Sequence, residues 1–126
     1  MNEHFCPNPF IYLTNSLEGT VKYCCLVHRG IKDNNGDVFK SADANMSDVW
    51  NSDDLNNVRQ QMLDGVPLSD CQKCYDLEKG GGGSLRTDLI AYWVNGNGRD
   101  KFNKSLEEYK NKMAMTSPVS IEVRSG

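Results

Sequence analysis

The chain has 126 residues, 38% of them hydrophobic, and carries 14 Lys and Arg against 17 Asp and Glu for a net charge of −3. That length suits one domain, or one domain plus part of another, and the apolar content is thin for a core that must stand alone. The mild acidity without any basic stripe excludes nucleic acid and acidic membranes as expected partners, no apolar run approaches the roughly 20 residues of a membrane helix, and the first residues lack the charged and apolar regions of a secretory signal, so a cytoplasmic protein is expected.

Residues 10–14 and 20–24 are mostly aromatic or β-branched, and the intervening Asn15, Ser16, Leu17, Glu18 and Gly19 are rich in turn formers, which predicts a β-hairpin. Gly19 suits a turn position of positive φ. Residues 29–47 show no apolar period and are expected to be mostly loop. A helix is predicted over 53–64, with Ser52 as N-cap, Asp53 and Asp54 in its first turn, Leu55, Val58 and Met62 on one face, and Gly65 as its stop. Pro67 then turns the chain back.

A helical turn is expected after Cys74, ending at Gly80, Gly81, Gly82 and Gly83, which suit a flexible linker or a backbone surface free of side chains. Ser84 is placed to cap a helix with Leu85, Leu89 and Trp93 on one face, stopping at the sequence Asn95-Gly96-Asn97-Gly98. Phe102, Leu106, Tyr109 and Met113 mark another helix. Behind Pro118, the alternation of Val119, Ile121 and Val123 with polar residues predicts a strand, which without a partner looks like the opening of a domain cut short.

The five cysteines are the main chemical signal. Cys71 and Cys74 form a Cys-x2-Cys pair, which in a reducing compartment serves metal ligation more often than a disulfide. Two thiolates are half of a closed site, and a zinc ion or an iron-sulfur cluster wants about four. Cys6 and one of Cys24 and Cys25 complete the set, because folding the hairpin brings its two open ends together. Spacing alone leaves zinc and iron-sulfur as open alternatives.

Cys6 is followed by twelve residues, Gly19, four residues and Cys24, and 46 residues later comes the Cys71–Cys74 pair. This pattern resembles the auxiliary-cluster module of radical SAM enzymes, called SPASM or, in its shorter single-cluster form, Twitch. That module opens on a cysteine, a spacer of hairpin length, a glycine, four residues and a cysteine. The words Phe5-Cys6-Pro7 with Phe10, Asp48-Val49-Trp50-Asn51, Arg59 with Met62-Leu63, Tyr75, and Glu78-Lys79 carry the resemblance further, over about two thirds of the chain, residues 5–86.

The resemblance implies an α+β fold: a small β-hairpin and helices around a four-cysteine site, then helices and the first strand of an α/β barrel. The corresponding divisions are 1–86 for the cluster domain, 87–116 for a helical connection, and 117–126 for an incomplete radical SAM barrel. It also implies Cys6, Cys24, Cys71 and Cys74 as ligands of one auxiliary [4Fe-4S] cluster; on the residues alone, Cys25 stands as the alternative to Cys24 and zinc as the alternative metal. Such a cluster would pass electrons or help to hold substrate. The implied partners are a downstream radical SAM domain, which would bind S-adenosylmethionine through a Cys-x3-Cys-x2-Cys loop that this sequence lacks, and a peptide or protein substrate.

No Ser/His/Asp or paired-carboxylate constellation points to catalytic residues within the chain. His4 and His28, near the ligands, are expected at the surface, as are Arg59 and Arg86. Phe10, Tyr12, Tyr23 and Tyr75 are expected to fill a thin core and to shield the cluster.

Overall fold

The computed structural model describes the backbone of residues 3–125 and the side chains of residues 3–113. Six helices and a two-stranded antiparallel sheet make an α+β arrangement among these residues. They are α1 (Asn8–Ile11), β1 (Thr14–Asn15), β2 (Val21–Lys22), α2 (Met46–Trp50), α3 (Asp53–Asp64), α4 (Gln72–Lys79), α5 (Leu85–Trp93) and α6 (Arg99–Ser125), with a 3-10 turn at Ser69–Cys71 leading into α4.

The expected hairpin forms, but it is shorter than its sequence suggested. Thr14 pairs with Lys22 and Asn15 with Val21, while Phe10 and Ile11 belong to α1. The prolines explain the difference: Pro7 sits at the start of α1 with φ −74° and Pro9 lies in its first turn. Both preset the φ of a helical turn, and Pro9 has no N–H to offer a strand ladder. Gly19 takes φ +79°, as its turn requires, and donates its N–H to the Ser16 carbonyl. The segment after the hairpin is mostly loop, yet Ile31 donates to the Val21 carbonyl and Phe39 to that of Ile31, which widens the hairpin by single bridges.

α2 has no counterpart in the apolar pattern. Asn45 starts it by accepting hydrogen bonds from the Ser47 and Asp48 amides. α3 follows its prediction closely: Ser52 accepts from the Leu55 amide, Gly65 ends the helix at φ +77°, and Leu55, Val58 and Met62 are buried. α5 starts in a capping box between Ser84 and Thr87. The glycine run between α4 and α5 is an ordered stop rather than a linker. Gly81 adopts φ +86°, and the amides of Gly81 and Gly82 return to the carbonyls of Glu78 and Leu77, the paired bonds of a Schellman cap.

The strand expected over residues 119–123 is not formed, because α6 continues as helix to Ser125. A lone strand leaves its backbone donors and acceptors without a ladder, whereas a helix satisfies them within its own turns. The side chains of that segment lie outside the described residues. Phe5, Phe10, Phe102 and Tyr109 form the aromatic centre that joins α1 to α6, with ring centroids 5.5–6.0 Å apart. Trp50 and Trp93 pack at the edge of this core.

The arginines expected at the surface are instead buried, Arg59 at 3% and Arg86 at 8% exposure. Arg59 lies over the Trp50 ring and donates to the carbonyls of Pro9 and Trp50 and to Asn56, so it joins α1, α2 and α3. A fork of five donors can satisfy loop and helix-end carbonyls that no apolar side chain could serve.

Candidate metal centre

Cys6 precedes α1, Cys24 follows β2, Cys71 closes the 3-10 turn, and Cys74 lies in the first turn of α4. All four line one cavity. Cys6, Cys24 and Cys74 are buried and Cys71 is half-buried, whereas Cys25 is exposed and lines a surface groove outside that cavity. Cys24 and Cys25 lie in the bend and turn that follow β2, where the Val27 amide returns to the Cys24 carbonyl, and this path leaves Cys24 inside and Cys25 outside. None of the five forms a disulfide.

Leu26, Val27, Met62, Leu85 and Leu89 provide apolar walls for the cavity. Burial, with smaller contributions from the neighbouring sulfurs, pushes the Cys6 and Cys71 thiols up to about 12 and raises Cys24 as well. The raised thiols of Cys6, Cys24 and Cys71 hold their protons until a cationic centre replaces them, which is the donor chemistry of a thiolate site. Several hydrogen bonds act the other way and favour the thiolates. The Asn8 backbone N–H lowers Cys6, and the Leu26 N–H and the Asn8 side chain lower Cys24. Among the described residues, no three His, Cys, Asp or Glu side chains converge on a point suited to a single ion. The four thiols share the lining of one cavity.

Two polar clamps hold the ligand segments together. Arg29 pairs with Asp54 of α3 at 2.6 Å and with Asp70 at 2.9 Å, and Asp70 also accepts from the Tyr23 hydroxyl at 2.8 Å. This fastens the end of the hairpin to the turn that presents Cys71. On the other side, Arg86 donates to the Phe5 carbonyl at 2.7 Å and pairs with Glu78, whose carboxylate also accepts from the Ser84 hydroxyl. Tyr75 donates to the His4 carbonyl. Of the shielding aromatics, Tyr23 lines the cavity and Tyr75 touches Cys71, whereas Phe10 belongs to the central core and Tyr12 is exposed. Neither histidine lines the cavity; His28 is exposed, and His4 bonds the Gly65 carbonyl.

Asn8 and Asp70 carry no helical or strand period that would single them out, and Arg86 was expected at the surface rather than in the site. The one available signal was proximity to a cysteine: Asn8 is two residues from Cys6 and Asp70 is next to Cys71.

The Glu78–Arg86 pair sets a pH dependence. The Arg86 guanidinium holds the Glu78 carboxyl below its usual range, and the Ser84 hydroxyl adds to this. A depressed folded-state value means that the stabilisation is fully present above the unfolded value of about 4.5 and is lost as pH falls through the folded one. The stability difference between the wild-type chain and Glu78→Gln, measured by urea unfolding, is therefore expected to be largest at neutral pH and to narrow below about pH 4.5. A difference unchanged down to pH 3 would contradict the assignment.

The family model of SPASM, an iron-sulfur cluster-binding domain, matches residues 6–75. That interval runs from the first cysteine of the cavity to the residue after the last. No curated protein and no solved structure gives a significant match. Among the described residues, no helix is long and apolar enough to cross a membrane.

Proposed function

Because this chain belongs to the SPASM family of iron-sulfur cluster-binding domains, we propose that Cys6, Cys24, Cys71 and Cys74 hold one [4Fe-4S] cluster that serves a radical SAM catalytic site. The observation that carries this reading is the cavity itself: four thiols from three separate segments share it, and the fifth cysteine points elsewhere. Five cysteines cannot supply a second four-thiolate site. Such a cluster, when bound, supplies one-electron transfer at a potential set by its surroundings.

The residues of the chain provide those surroundings. Leu26, Val27, Met62, Leu85 and Leu89 exclude water, Asp70 and Arg86 hold the ligand segments, and the N–H donors of Asn8 and Leu26 disperse charge on the sulfurs. Four protein ligands leave no open iron for a substrate to occupy, so electron transfer or substrate positioning fits better than Lewis-acid catalysis. The catalytic domain that this module serves carries its own cluster and S-adenosylmethionine and acts on a peptide or protein, and the free thiols suit a reducing cytoplasm.

Anaerobic purification after iron-replete expression, followed by iron, sulfide and zinc analysis, tests the proposal. About four irons and four sulfides per chain are expected, with a brown colour. Stoichiometric zinc without sulfide would replace the cluster by a structural zinc site.

A further inference from the structure

Asn8 holds an unusual place among the buried polar side chains. It opens α1 two residues after Cys6 and is only 4% exposed. It lines the four-thiol cavity and also the surface groove on whose rim Tyr12, Cys25 and Trp93 lie, so it forms part of the wall between them. Cys6 and Cys24, the ligands from the two ends of the hairpin, line the same cavity as Asn8. The apolar residues of the same wall, Leu85 and Leu89, have no donor to offer. Arg59 and Arg86, buried as deeply, spend their donors mainly on backbone carbonyls and carboxylates.

We propose that Asn8 is a positioning residue of the cluster, whose side-chain amide donates to the Cys24 thiolate and raises the cluster's reduction potential. The inference rests on the assignment of the four cysteines to one cluster. Reduction adds negative charge that spreads onto the sulfurs, so an N–H donor stabilises the reduced state more than the oxidised one.

The experiment compares the full chain with Asn8→Leu, which keeps the branched shape without a donor, and Asn8→Asp, which keeps the shape and adds a negative charge. Each is purified anaerobically, assayed for iron and sulfide, and titrated with reductant while the EPR signal of the reduced cluster is followed. Asn8→Leu is expected to keep its iron and to shift the midpoint negative by about a tenfold change in the reduced-to-oxidised ratio, equivalent to about 59 mV for one electron. Asn8→Asp is expected to shift it further in the same direction. A loaded variant with the wild-type midpoint overturns the proposal, and so does failure of both variants to take up iron, which would make the role structural alone. A wild-type chain without iron sinks the cluster assignment itself, and with it the role given to Asn8.

Discussion

Serine at any one of Cys6, Cys24, Cys71 or Cys74 is expected to reduce the iron content from about four per chain to near zero, while Cys25→Ser keeps it. The effect should be large because the cluster ties together segments that lie far apart in the sequence. Cys6 and Cys24 come from the hairpin region, where the sheet has two residues per strand, and Cys71 and Cys74 come from a short turn and helix. For such sites the binding free energy of the metal centre is largely folding free energy, so each serine variant should also lose thermal stability relative to the loaded wild type. Iron and sulfide assays with the visible absorption spectrum read the first effect, and thermal unfolding under anaerobic conditions reads the second. Loss of the cluster in Cys25→Ser with retention in Cys24→Ser would reverse the register of the hairpin end. The exposed position of Cys25 argues against that outcome.

Arg59→Met is expected to destabilise the chain by about 2–4 kcal/mol in urea unfolding, with little direct effect on the sulfurs. Methionine keeps much of the aliphatic volume and removes every donor. The carbonyls of Pro9 and Trp50 then lose their partners, at about 1–3 kcal/mol for each buried group left unsatisfied. An opposing effect limits the total. Burial lowers the Arg59 guanidinium to about 10, and its Nη2 has no hydrogen-bond partner among the described residues, so removing the charge recovers part of a desolvation cost. The stacking on Trp50, with the guanidinium 4.4 Å from the ring centroid, disappears as well. Against a total stability of roughly 5–15 kcal/mol for a domain, the net loss is severe. Arg59→Lys should fall close to the methionine variant, because a single ammonium cannot reach two carbonyls and Asn56 with planar geometry. Wild-type stability in Arg59→Met would mean that the uncompensated charge outweighs the three hydrogen bonds.

Much of the helical framework was legible because its signals are local. Ser52 and Gly65 bracket α3, and Ser84 starts α5, through contacts made within a few residues of each other. The failures share the opposite cause. At residues 10–11 β-propensity pointed to a strand, but Pro7 and Pro9 had already selected a helical turn. At residues 119–123 the alternation was real, yet a strand needs a partner that alternation alone cannot supply. Arg59 and Arg86 were assigned to solvent from residue type, and the carbonyls that bury them lie nine or more residues away: Trp50 and Pro9 for Arg59, and Phe5 for Arg86.

The sequence by itself determined the chemistry of this protein: the number of thiols, their spacing about Gly19, and hence the match to an iron-sulfur domain, because cluster assembly depends on ligand type and chain reach, both written along the backbone. Tertiary structure alone decided which thiols share a cavity and which residues hold them there. Cys24 and Cys25 are adjacent in sequence, and only the path of the chain past β2 turns one toward Cys6, Cys71 and Cys74 and the other to solvent. In the same way, Asn8, Asp70 and Arg86 became parts of the site because they meet partners from distant segments, and long-range contacts leave no period in a sequence.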